Sequence, residues 1–254
     1  MQNKIYMLFV LFLLSFCHSQ DNKIVDLAKI SNDFDVSEFY SNKIKKTNEI
    51  ISKNPKSLDK KEPLNLLNNA FFVKDTLGYF KTDGRFPTEL SLESTNDWMV
   101  RNKKPTEIFG YGYKTVAYDP EKDRIAVLNT VTFPKMDMVE DRKGKLMYLK
   151  VEKASKTSAD YSKIKDYLSK NCKKIAVDDD DPNASYWKDE SFYYYLFKDD
   201  HQEEEISFDS QGNKISRSVD ATETRLMMFE MSYIKKMEEL GIYSAGYKFW
   251  KKYF

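Results

Sequence analysis

The chain carries only two cysteines, two histidines, eight glycines and seven prolines in 254 residues. These shortages exclude more chemistry than any motif supplies. Met1 to Ser19 read as a secretory leader. Lys4 gives a positive start, Ile5 to Phe16 is an apolar run without charge, and Cys17 and Ser19 put small side chains at −3 and −1 of a cut before Gln20. Loss of the leader leaves one cysteine, Cys172, and one histidine, His201. No disulfide can then close within the chain, even in an oxidising compartment. Zinc sites of four cysteines, two cysteines with two histidines, or three histidines are arithmetically impossible. A cysteine–histidine dyad or a serine–histidine–aspartate triad would have to use Cys172 or His201, and neither sits in a nucleophile elbow. Gly110-Tyr111-Gly112 lacks the third glycine and the strand-then-helix setting of a phosphate cradle.

Long apolar runs and an excess of one charge are missing too. The twelve-residue run is too short to cross a bilayer of ~30 Å, so it reads as a leader to be removed, leaving no transmembrane helix. Removing Lys4, the sole charged residue of the leader, leaves 40 basic and 40 acidic residues. That balance argues against nucleic acid, whose binding rests on a basic excess. The expectation is an exported protein, periplasmic or secreted. Leu14-Ser15-Phe16-Cys17 outlines a lipoprotein box and gives a lipid anchor through Cys17 as the alternative, with Phe16 where such boxes need a small residue.

What is present points to a folded domain. Aromatics make up 15% and charged residues 32%, too aromatic and apolar for disorder. Asp35 and Glu38 have capping-box spacing, and Tyr40, Ile44, Thr47 and Ile51 then recur at helical steps until Asn54-Pro55. A second helix is expected from Pro63 through Leu66, Leu67, Ala70, Phe71 and Lys74 towards Gly78, and a short one between Arg85 and Pro105. From Glu107 the period becomes two. Tyr111 to Tyr118, Arg124 to Phe133 and Lys145 to Glu152 read as strands, separated by turns at Asp119 to Asp123 and Asp141 to Gly144. Tyr161, Ile164, Leu168 and Cys172 mark a helix that buries Cys172 as a small hydrophobe.

Lys174 to Val177, Phe192 to Phe197, Glu204 to Phe208 and Lys214 to Val219 read as further strands. A final long helix runs from a cap at Asp220 and Glu223 through Leu226, Phe229, Tyr233, Met237 and Leu240 to Gly241. The tail Tyr247 to Phe254 reads as a strand or a docked helix. The expected fold class is α+β: an N-terminal helical segment, a largely antiparallel sheet, helices on one face, and the long C-terminal helix. The expected division is a leader 1–19, a mainly helical segment 20–105 and an α+β domain 106–254, or one continuous domain 20–254.

Two places carry site-like chemistry. Asp179, Asp181, Asn183 and Glu190 fall at positions one, three, five and twelve of a calcium-loop pattern. Ala184 stands where that loop needs glycine, and Pro182 stiffens it, so calcium competes with a solvated acidic loop. Trp187 and the run Phe192-Tyr193-Tyr194-Tyr195 form the densest aromatic cluster, and alternation puts Tyr193 and Tyr195 opposite Phe192 and Tyr194. Trp187, Tyr193 and Tyr195 are therefore a candidate surface for a glycan or protein partner. His201 sits among Asp199, Asp200 and Glu203, which favour its protonated form. No group of acids carries a specific catalytic signal. The functional expectation is a non-enzymatic binding protein with no required cofactor. The alternative is a carboxylate-dependent hydrolase of glycans or cell-wall polymer.

Overall fold

The computed structural model describes residues 24–53, 71–79, 107–176, 182–208, 211 and 214–239. The expected leader, the first half of the expected second helix, the short helix expected before Pro105 and the C-terminal tail lie outside them. The described elements are β1 (Val25–Asp26), α1 (Val36–Lys53), β2 (Phe71–Tyr79), β3 (Glu107–Ala117), β4 (Ala126–Leu128), β5 (Val131–Phe133), β6 (Lys135–Asp141) and β7 (Leu146–Ser155). They continue with α2 (Ala159–Asn171), β8 (Lys173–Lys174), β9 (Ala184–Lys188), β10 (Phe192–Phe208), β11 (Lys214–Glu230) and α3 (Met231–Glu239).

Eight strands form one antiparallel sheet in the order β2-β3-β6-β7-β11-β10-β9-β8. β1, β4 and β5 form a small side sheet in which β1 runs parallel to β4. β2, from the segment expected to be helical, pairs along its length with β3 across the expected boundary at 105/106.

The core lies on one face of the large sheet. Lys74, Tyr113, Met138, Leu149, Met228, Tyr194 and Trp187 are cross-strand neighbours in one row. All but the edge lysine are buried. Beside them run Met136, Val151, Leu226 and Leu196, and onto both rows pack Tyr40 of α1, Tyr161, Ile164 and Leu168 of α2, and Leu128, Val131 and Phe133 of the side sheet. Each large side chain taken fully from water contributes about 1.5–3 kcal/mol. The N-cap of α1 is as its sequence suggests: Asp35 Oδ1 accepts the Glu38 amide at 2.8 Å.

The expected fold class is overturned. Among the described residues strand accounts for 52% and helix for 24%, so a sheet organises the chain, and there is no long C-terminal helix. Residues 220–230 belong to β11, paired with β10 on one side and β7 on the other. Both faces are covered near its end, where Met228 is buried on one face and Phe229 on the other, and Met227 beside them is also apolar. The apolar run then loses its period-two signature and imitates a helix. Helix begins only at Met231. Phe71 to Tyr79 is strand rather than helix, as its aromatic and β-branched start Phe71-Phe72-Val73 permits. The stretch Arg124 to Phe133 is split by a tight turn in which Asn129 takes φ +56°, a conformation asparagine tolerates. The two expected strands Phe192 to Phe197 and Glu204 to Phe208 are one strand of 17 residues.

Candidate functional site

A groove of about 830 Å³ runs between the outer face of α1 and the β2 edge of the sheet. The helix side presents Ser37, Glu38, Ser41, Lys45, Asn48, Glu49 and Ser52; the sheet side presents Lys74 and Tyr113. Helical geometry produces this wall directly. Ser37, Ser41, Asn48 and Ser52 recur at steps of four, seven and four and so share one face. The adjacent face of the helix is fastened to the sheet, with Ile44 at the border between the two. Tyr40, fully buried, donates from its hydroxyl to the Met136 carbonyl at 2.8 Å and stacks on Tyr113 with ring centroids 5.1 Å apart. Thr47 accepts the Phe72 amide at 3.1 Å. The groove wall is therefore held rigidly beside β2.

At the sheet side three strands bring together a cation, two tyrosines and a buried acid. Lys74 Nζ lies 4.3 Å from the Tyr111 ring centroid and 4.9 Å from that of Tyr113, within the ~6 Å reach of a cation–π contact. Tyr113 donates its hydroxyl to Glu140 Oε1 at 2.7 Å, and Lys74 Nζ stands 3.9 Å from the same oxygen. The Glu140 side chain is only 4% exposed, whereas that of Lys74 is 41% exposed. Burial, followed by the bond to Glu140, pushes the Tyr113 hydroxyl far above its ordinary pKa. It stays protonated and a donor. Glu140 Oε2 is buried and accepts no hydrogen bond among the described residues. Strands β3 and β6 approach closely here: a Cβ built on Gly110 would lie 2.0 Å from the Glu140 carbonyl oxygen. Only glycine fits.

The opposite face of the sheet carries a second polar cluster. Glu152 is paired with Lys135, with Lys150 at 3.3 Å and with Arg225 at 2.8 Å; Lys150 also reaches Asp137 at 3.5 Å. Burial acts to raise the Glu152 pKa, but the three cations overcome it and hold the carboxyl down to about 2. Asp137, more weakly paired, is raised by its burial. Next to these charges lie Tyr193, Tyr195 and Phe197 of β10, with Tyr195 and Phe197 stacked 6.2 Å apart and Tyr186 5.1 Å from Tyr195.

The residues singled out from sequence fall in separate places. Tyr193 and Tyr195 do share a half-buried face opposite Phe192 and Tyr194. Trp187 does not join them. It is 0% exposed, on the core face beside Tyr194, because odd and even positions of β9 point to opposite sides. Of the calcium pattern, Asp179 and Asp181 lie outside the described residues. Asn183 precedes β9 and Glu190 follows it, so ~16 Å of extended strand separates the two. The acid that organises the β9–β10 turn is Asp189, whose Oδ1 accepts the Ser191 and Phe192 amides at 2.7 Å. Among the described residues no group of three or more His, Cys, Asp or Glu side chains is placed to hold a metal ion, and no helix is long and apolar enough to cross a membrane.

Cys172, expected to be buried, caps the C-terminus of α2 and is half-buried, its thiol pushed up to about 11 by burial. His201 is partly exposed in β10, with Nε2 3.2 Å from Glu203 Oε1, and that contact raises its pKa. Sequence reasoning missed the groove. The polar stripe of α1 was visible in its spacing, but nothing in sequence links Lys74, Tyr113 and Glu140, which meet only once three strands pair. No protein-family model, curated protein or solved structure matches this chain.

Proposed function

We propose that the protein is an exported, non-enzymatic binding protein that takes a polar ligand in the groove between α1 and β2. The leader-like pattern of Met1 to Ser19 supports export, and the groove carries the binding reading. Its volume falls within the ~300–1,000 Å³ of small-ligand sites. The Ser41 hydroxyl and the Asn48 amide offer both donors and acceptors, while Ser37 and Ser52, whose hydroxyls donate to Asp35 Oδ1 and to the Glu49 carbonyl, offer acceptors. Such a wall suits the hydroxyl groups of a glycan or the backbone of a peptide. Tyr40 and Thr47 fix the helix before any ligand arrives, which lowers the ordering cost of binding.

The hydrolase reading has one observation in its favour. Asp137 and Glu152 have pKa values pushed in opposite directions, as an acid/base pair requires. Against it, neither lines the groove, and Glu152 is bound up by Lys135, Lys150 and Arg225. Structural ion-pair networks perturb pKa values in the same way. The binding reading therefore has the stronger support.

The test compares the natural chain with Asn48→Trp on arrays of glycans and peptides. Asn48 is exposed on the groove wall, so an indole there fills the groove without disturbing the core. A ligand of the natural chain should bind the variant at least about tenfold more weakly, a loss of ~1.4 kcal/mol. Equal binding by both would place the ligand elsewhere.

A further inference from the structure

We propose that Tyr111, Tyr113 and Glu140 form an ammonium-binding box that the chain's own Lys74 occupies, and that the groove ligand carries a free ammonium group that takes its place. This rests on the groove being the ligand site. Two aromatic faces with a carboxylate behind them are the chemistry that recognises an alkylammonium ion. Here the box is filled imperfectly. Lys74 Nζ is tethered to β2 and stops 3.9 Å from Glu140 Oε1, beyond hydrogen-bond reach. Glu140 Oε2, with its side chain 4% exposed, accepts no hydrogen bond among the described residues. A buried carboxylate oxygen left in that condition is costly. An untethered ammonium can seat deeper than Lys74 and donate to it.

Charge in the groove favours the same ligand. With Lys74 swung out, Glu38 and Glu49 on the groove lining face a single lining cation, Lys45, and Glu140 adds its charge from behind Tyr113. Lys74 is free to leave, being an exposed side chain on an edge strand. Displacement of a resident cation also gives selectivity, because a neutral ligand of the same shape leaves Lys74 where it is. The polar stripe of α1 would then hold the rest of the molecule.

The experiment removes the resident cation and supplies a free one. Lys74→Ala and Lys74→Gln are melted with and without n-butylammonium, with n-pentanol as the uncharged control, beside the same variants carrying Glu140→Gln. The expected result is a rise in Tm of about 3 °C or more for the single variants at ten times the Kd. No rise is expected with the alcohol or in the double variants. Glucosamine and Nα-acetyl-lysine amide then separate an amino sugar from a lysine side chain as source, with N-acetylglucosamine as the neutral partner. A rise with either charged compound and none with the neutral sugar supports the box. Equal shifts for charged and neutral compounds, or for single and double variants, would overturn it, as would no shift in either Lys74 variant. The melts do not depend on Asn48, so the box can fail while the groove reading stands on its own array test.

Discussion

Glu152 illustrates how far one side chain's environment can override burial. It is 6% exposed, yet Lys135, Lys150 and Arg225 keep it charged. Its folded pKa of about 2 lies below the ordinary 4.5. The stability it contributes is thus complete above about pH 4.5 and is lost as pH falls towards 2. Asp137 is shifted upwards and works in the opposite sense, softening that acid limb. Glu152→Gln should cost about 2–3 kcal/mol at neutral pH, from charged hydrogen bonds lost and cations left unpaired. It should also flatten the fall in stability between pH 4.5 and 2.5, both readable by urea denaturation. Gly110→Ala should cost about 1–3 kcal/mol, because its Cβ would press on the Glu140 carbonyl and part β3 from β6. None of this is visible in sequence. Glycine at 110 reads as an incomplete phosphate motif, and Glu152 as the end of a strand.

Elements were legible where one face of a segment is wet and the other dry. α1 met that condition, with Tyr40 and Thr47 buried and Ser41 and Asn48 exposed, and so did the stripe of α2. The turns at Asp119 and Asp141 were readable because each uses its own aspartate to accept nearby amides. Among the strands that were not legible, three failed for different reasons. β6 builds its dry face from Met136 and Met138, residues with little strand preference. β11 is covered on both faces near its end. The middle of β10, Lys198 to Glu203, is wholly polar and reads as a loop.

Its polarity has a structural cause. β9 pairs with β10 no further than Phe197, and β7 with β11 no further than Thr222, so the outer parts of β10 and β11 pair only with each other. Both faces of that ribbon meet water, down to Ile206 and Ile215 at nearly half exposure. A two-stranded ribbon adds little stability by itself. Deleting 202–205 with 217–220 removes paired residues in equal, even numbers, none of them buried, and keeps the facing of the rest. The shortened protein should melt within a few degrees of the original by calorimetry.

At the scale of the whole molecule, one sheet separates two kinds of polar chemistry. One face carries ions that neutralise each other and an aromatic strip beside them. The other carries the apolar core and, at its β2 edge, the groove where α1 meets Lys74 and Tyr113, with Glu140 behind them. The sequence pointed to the aromatic run around Tyr193 because density along the chain is easy to see. It could not point to the groove, whose parts lie at residues 37–52, 74 and 113 and converge through strand order alone. In the proposed function, ligands enter at the α1–β2 groove and not at the Tyr193–Tyr195 face. The most direct test is an amide chemical-shift map of the labelled protein titrated with a ligand taken from the arrays. Binding in the groove should shift residues 37–52, Lys74 and Tyr113 most. Shifts centred on Tyr186, Tyr193 and Tyr195, with α1 unmoved, would contradict it.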